Sequence, residues 1–329
     1  MQNQKKKVIL SGIQPSGVIH LGNYFGAMKQ YVDLQDTSIN YFFIANFHAL
    51  TTLRNPQELQ FNTLDIARHY LAIGLDPDKC ALFLQSDVPE VCELSWYLSI
   101  ITPLGLLERC HSYKDKLAKG FSPEHGLFAY PILMAADILM YEPDFVPVGK
   151  DQKQHVEVAR DIAIKFNNTF GNIMKIPEVM IKESTAVVPG IDGQKMSKSY
   201  GNFISFLSDE KTIKKQVMSI VTNSTAVEEP KDPAQCNVFA LYKLFAQPDE
   251  IISLQDRYVK GGLGYGEAKK ILLAKLLDYF AESRVRYNQL KADDQYVKDV
   301  LKKGADKARE QADSFMIKVR NAVGIVRSN

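Results

Sequence analysis

Hydrophobic and polar positions alternate between two periods along the first two hundred residues. A continuous apolar run at 8–11 predicts a buried first strand, and 12–17 (GIQPSG) a tight loop. Leu21, Tyr24, Phe25, Met28, Tyr31 and Val32 then recur at helical spacing, which predicts a helix over 22–34. Further apolar runs predict strands at 41–45 and 81–85, with a helix over 56–75 between them. Strand, helix and strand in alternation imply right-handed crossovers and a doubly wound parallel sheet. Two long apolar helical stretches, 92–113 and 126–141, interrupt the alternation and read as an insertion packed on the sheet. A strand at 144–148, an amphipathic helix over 151–166 and a strand at 187–193 follow. From about Asp209 onward strand signals nearly vanish, and 211–221, 235–245, 266–289 and 295–323 read as helices. The expected architecture is an α/β, Rossmann-like domain over 1–205, with a helical insertion at about 90–142. An all-helical domain over 206–329 completes it.

Composition changes this picture little. With 329 residues, 46% hydrophobic and 24% charged, the chain has the make-up of an ordinary globular protein large enough for two domains. A formal charge of only +2 announces no nucleic-acid partner, so any RNA contact must rely on local patches. Lys5, Lys6 and Lys7 read as a solvated tail rather than an RNA contact. The four cysteines, Cys80, Cys92, Cys110 and Cys236, form no CxxC pair, which argues against zinc and against a disulfide framework. No stretch approaches the roughly 20 apolar residues that a membrane helix needs, and the first apolar run is too short for a signal sequence. A cytoplasmic location is expected.

Two short strings carry the chemistry. The first is His20-Leu21-Gly22-Asn23, at a predicted helix start. There unpaired N–H groups and the helix dipole favour an anion, and a glycine lets it approach closely. His20 and Asn23 add donors that can follow a phosphate into its transition state, although a histidine there can equally cap a turn. The second is Lys195-Met196-Ser197-Lys198-Ser199. Two ammonium groups on a loop suit a leaving pyrophosphate, whose charge grows as the bond breaks. A solvated basic turn is the usual fate of such a lysine pair, but the full five-residue string with HLGN upstream favours phosphate chemistry.

HLGN followed by KMSKS resembles class I aminoacyl-tRNA synthetases. The stretches SGIQPSG (11–17), MAADIL (134–139) and VPVGKDQKQH (146–155) look like the bacterial tryptophanyl branch of that family. The resemblance covers most of 8–205 and continues more weakly to Arg320. On the ATP side it implicates Gln14, Pro15, Ser16, Gly22 and Asn23, then Gly149, Lys150 and Asp151 at ribose and adenine, Val188 near the base, and the string Lys195 to Ser199. Lys116 matches a lysine that the family brings to the triphosphate, and an ordinary surface lysine is an equal reading. Asp151 is also a natural helix N-cap.

The amino-acid pocket can be read physically as well. Tyr130, Met134, Asp137 and Tyr141 share one helix face, and a carboxylate among Ile132, Leu133, Ala135, Ala136, Ile138 and Leu139 needs a partner. A structural arginine or a helix end would serve. The resemblance offers the indole N–H of bound tryptophan, which is a donor only and so requires an acceptor. By the same resemblance Met134, Val146 and Val148 wall the ring, while Tyr130 and Gln152 hold the ammonium group. His48 is placed by the substrate, although on its own it reads equally as a satisfied core histidine. The chain departs from the family pattern in having Leu10 for a common phenylalanine, His20 for a frequent threonine and Lys150 for a glutamate. Its loop before Lys195 is also shorter.

The resemblance implies a two-step ligase that forms tryptophanyl-adenylate from ATP and then charges the terminal ribose of a tRNA. Magnesium would be carried with ATP, no zinc or iron–sulfur cluster is expected, and a homodimer bridged by tRNA is implied. The nearest rival is a tyrosyl enzyme, which the MAADIL block and the apolar Val146/Val148 strand disfavour. A small HxGH nucleotidyltransferase lacks KMSKS and a helical C-terminal part. An inactive paralogue that binds RNA or senses tryptophan is disfavoured by the intact strings.

Overall fold

The computed structural model describes residues 6–326 apart from 111–112, 115–117, 119, 121, 123, 150–151 and 182–187. Five strands form one parallel sheet in the order β3-β2-β1-β4-β5: β1 Lys7–Ile13, β2 Ser38–Ile44, β3 Cys80–Leu84, β4 Phe145–Pro147 and β5 Glu178–Met180. β1 pairs in register with β2 from Lys7↔Ser38 to Ile13↔Ile44, and with β4 on its other side at Ile9↔Phe145. The chain therefore winds outward in one direction through β2 and β3, returns, and winds outward in the other through β4 and β5. The change of direction falls between β1 and β4, where a crevice opens beyond the carboxyl ends of the strands.

The predicted first helix is present with a distortion. A turn Leu21–Asn23 leads into a π-helical stretch, Tyr24–Met28, and then an α-helix Lys29–Leu34. This places Tyr24 and Phe25 in an aromatic cluster with Phe206, Phe245, Tyr279 and Phe280, with ring centroids 4.6–4.9 Å apart for the tightest pairs. Other expectations are corrected. The stretch 92–113 is broken into the helices Glu90–Ser99 and Leu104–Glu108, because Pro103 cannot continue a helix. The stretch 266–289 divides at Phe280 into Tyr265–Tyr279 and Ala281–Ala292. No strand forms over the described part of 187–193, where a single antiparallel bridge joins Pro189 to Lys195. Strand β5 and the helix Pro248–Lys260 were not foreseen. Lys7 belongs to β1 and lies 3.5 Å from Asp144, so that part of the basic tail is tied down.

The helical part beyond residue 205 is joined to the sheet through its last helix, not hung beside it. The last one, Asp294–Val323, lies along β3. Gly304 makes this possible, since a β-carbon there would stand 2.0 Å from the Leu82 carbonyl oxygen. Arg320, buried, grips Glu93 with two bonds of 2.7 and 2.6 Å, a geometry that holds two charges where one alone would be costly. Tyr287 donates to Asp65 at 2.5 Å and Arg68 to Asp294 at 2.5 Å, which ties the same helices to Pro56–Ala72.

Gly304→Ala is expected to destabilise the fold by about 1–3 kcal/mol, because the contacting atom is backbone and cannot move aside. A urea midpoint unchanged from wild type would contradict this packing.

Candidate active site

The crevice beyond β1 and β4 holds a cavity of about 480 Å³. Its walls include Gln14, Ser16, His20, Asn23, His48, Tyr130, Met134, Val146, Val148, Gln152 and Lys198, all singled out above. Leu10, Phe43, Tyr31, Val18 and His155 also line it. The short run of β4 explains how Val146 and Val148 reach the same wall, since alternate residues of a strand face one side. Gly149 follows directly, at the crevice end of the strand. Lys116, Lys150 and Asp151 lie outside the described residues.

His20 takes a more defined role than its sequence suggested. It is the N-cap of the first turn: its Nδ1 accepts the Gly22 N–H at 3.1 Å, and Asn23 Oδ1 accepts the His20 N–H at 3.0 Å. Burial pushes its pKa down to about 4, so the ring is neutral at pH 7. With Nδ1 accepting, the remaining proton sits on Nε2, which is left as a donor. Capping and donation are thus compatible in one side chain. Phe203 stacks on the ring with centroids 5.9 Å apart and fixes its plane.

The lysine string forms a tight hairpin locked by one buried asparagine. Gly190 N–H donates to the Gln194 carbonyl and Met196 N–H to that of Val188. Asn202, only 2% exposed, accepts the Ser197 N–H at 2.7 Å and donates to Asp192 Oδ1 at 2.8 Å and the Lys195 carbonyl at 3.1 Å. Met196 and Val188 are buried in the core and anchor the loop from below, so Val188 stands behind the cleft wall. The Ser197 hydroxyl accepts the Ser199 N–H at 3.3 Å. Two bonds then tie each string to the segment that flanks the other, far apart in sequence. Leu21 N–H donates to the Ile204 carbonyl at 3.0 Å, and Lys198 Nζ to the Ser16 carbonyl at 2.9 Å. Gly17 has φ +116°, and the Lys198 side chain occupies the space that a β-carbon would need. Pro15, Gly22, Lys195, Met196, Ser197 and Ser199 do not line the cavity itself.

Asp137 is 3% exposed on the helix His125–Met140, just behind the wall made by Met134, Ile138 and His48. His48 Nε2 lies 2.7 Å from its Oδ2, and Gln85 Nε2 donates to Oδ2 at 2.8 Å and Oδ1 at 3.0 Å. Burial raises its pKa, and the His48 and Gln85 contacts oppose that rise. Neither the structural arginine nor the helix end considered above is what satisfies it. Gln85 and Asn202 were not singled out from sequence. The only local signal each carries is a polar residue at the edge of an apolar run, which turns share.

Comparisons with known proteins agree with this arrangement. Residues 2–281 match the family model for class I tRNA synthetases of the W and Y type. The chain belongs to this family of class I tRNA synthetases, and within it to the bacterial tryptophanyl-tRNA synthetases. A tryptophan–tRNA ligase of Fusobacterium nucleatum is 54% identical over 318 residues, spanning 96% of this chain and 98% of that one. A crystal structure of the tryptophanyl-tRNA synthetase of Campylobacter jejuni, complexed with ADP and tryptophan, superposes with a TM-score of 0.93. It is 53% identical and covers 96% of this chain and 99% of that chain. A tyrosyl-tRNA synthetase of Archaeoglobus fulgidus, 20% identical with a TM-score of 0.66, shares the fold.

The lowered His20 pKa has a stability consequence with a definite sign. Between the ordinary histidine value of 6.5 and about 4, the unfolded chain binds a proton that the folded one refuses. Stability contributed by a neutral His20 is therefore complete above pH 6.5 and is lost as pH falls toward 4. His20→Gln is expected to flatten the pH dependence of urea unfolding across that window; an identical slope in both proteins would contradict it.

Proposed function

We infer that the protein is a tryptophan–tRNA ligase that activates L-tryptophan with ATP and transfers it to the 3′-terminal ribose of its tRNA. The observation that carries this reading is the junction of the two strings over one cleft, made by the Leu21–Ile204 and Lys198–Ser16 bonds. The N–H groups of the first turn are already bonded within the protein, so the donor it offers an α-phosphate is the neutral His20 ring, and the lysine hairpin would meet the β- and γ-phosphates. Beyond them the apolar wall of Met134, Val146 and Val148, with Asp137 behind it, suits an indole.

In the first step a carboxylate oxygen of tryptophan attacks the α-phosphorus. The bond to pyrophosphate breaks, and its electrons leave onto an oxygen that Lys195 and Lys198 would stabilise. In the second, a ribose hydroxyl of the tRNA attacks the acyl carbon and AMP leaves. Catalysis is positioning and charge stabilisation, with no covalent enzyme intermediate. Among the described residues no three His, Cys, Asp or Glu side chains gather as a metal site, and magnesium would arrive with ATP. No described helix is long and apolar enough to cross a membrane. The helical part beyond residue 205 would take the tRNA. Trp96, Ile100 and Leu104, each more than half exposed, form the apolar surface on which a second copy would sit in a homodimer.

Pyrophosphate exchange with each of the twenty amino acids tests the assignment directly. Tryptophan alone should support it, and exchange with tyrosine while tryptophan is inert would overturn the reading. Lys195→Ala should lower kcat by roughly 100-fold or more while KM for tryptophan changes little, since its contact strengthens as pyrophosphate departs. Equal losses in both would contradict that role.

A further inference from the structure

Gln85 directly follows β3, is 1% exposed and does not line the cavity, yet both ends of its side-chain amide are engaged. Its Oε1 accepts the backbone N–H groups of Phe47 at 3.0 Å and His48 at 3.4 Å, at the start of the short helix Asn46–Ala49. Its Nε2 donates to both oxygens of Asp137, at 3.0 and 2.8 Å. Turning the amide over would set its oxygen against a carboxylate and its NH₂ against N–H groups, so the orientation is determined by the partners at both ends. A reciprocal pair beside it, Asn46 to the Ser86 hydroxyl at 2.8 Å and Ser86 N–H to Asn46 Oδ1 at 3.1 Å, holds the same helix against the end of β3.

This amide does two things at once. It supplies a neutral donor to a buried carboxylate, and it positions the backbone of His48, whose ring makes the other contact to Oδ2 at 2.7 Å. The donors are shared unequally, since Oδ2 has two and Oδ1 only one. A carboxylate oxygen accepts about two hydrogen bonds, so Oδ1 retains an acceptor position. An acceptor of that kind strongly rejects a ligand that cannot donate, because a buried polar group is then left unpaired.

We propose that Gln85 is the positioning residue for indole selectivity: it holds the Asp137 carboxyl in place as an acceptor, assigns the free position to Oδ1 and seats His48 on Oδ2. This rests on Asp137 being the indole acceptor. Without the amide the carboxyl would have one donor instead of two and could turn its oxygens away from the substrate, which relaxes the demand for an N–H there.

The test compares tryptophan with 3-(3-benzothienyl)alanine, which replaces the indole N–H by sulfur at nearly the same shape, in pyrophosphate exchange. Wild-type protein should favour tryptophan by roughly 100-fold or more in kcat/KM. Gln85→Met removes donor and acceptor together. Gln85→Glu keeps the acceptor for Phe47 and His48 and sets a second carboxyl against Asp137, so that the two must share a proton. Both variants should narrow the preference to about tenfold or less while KM for ATP stays within about twofold, a pattern expected only if the residue acts through substrate discrimination. A residue that merely supports the fold would lower kcat/KM for both amino acids alike and leave the ratio intact. Full retention of the wild-type ratio in both variants overturns the role of Gln85 while leaving Asp137 as the indole acceptor. No preference in the wild-type protein overturns the Asp137 reading itself.

Discussion

Everything that acts in this molecule is placed by the point at which the parallel sheet changes winding direction. β1 is central, with β2 and β4 on either side, so the connections leaving their carboxyl ends depart in opposite directions and cannot cover the ground between. Residues 12–20 at the end of β1, Val148, Gly149 and Gln152 after β4, and the start of the helix Asn46–Ala49 after β2 converge on that opening. The lysine hairpin is added to it by the bonds of Leu21 to Ile204 and of Lys198 to Ser16. A cleft of this kind is a consequence of topology, and the side chains determine what it recognises.

Two electrostatic problems are solved there by different means. The first turn must present donors to an anion, and burial keeps His20 neutral so that it can cap the turn and donate at once. The pocket must present an acceptor, and the acceptor is a carboxylate removed from water. An isolated ion in such surroundings would take up a proton. Histidine and glutamine contacts oppose that uptake without a permanent cation such as an arginine. The consequence is a site whose selectivity depends on the hydrogen bonds around Asp137 as much as on Asp137 itself.

Much of this was legible in the chain because the informative patterns are local. HLGN, KMSKS and SGIQPSG are contiguous, and the strands near 8, 41 and 81 are apolar runs bounded by turn residues. The placement of Asp137 on one face with Tyr130 and Met134 follows from helical period alone. What was not legible depends on partners far away. Gln85 meets Asp137 across 52 positions and Leu82 meets Gly304 across more than two hundred, and nothing in the local pattern marks either pair. The last helix therefore looked like part of a separate helical unit, although it lies along β3. The hairpin before Lys195 was misread as a strand because its apolar residues face the core from a turn, with Asn202 supplying the bonds that a neighbouring strand would otherwise provide.

The central claim is that the winding switch holds a nucleotide's α-phosphate at the first turn and an indole against Asp137 in the same cleft. A crystal structure with a non-hydrolysable sulfamoyl analogue of tryptophanyl-adenylate tests it most directly. The indole nitrogen should lie about 2.7–3.2 Å from Asp137 Oδ1, with the sulfamoyl group against His20 at the first turn and the adenosine over the end of β4. An indole turned away from Asp137, with that carboxylate still held only by His48 and Gln85, would contradict it.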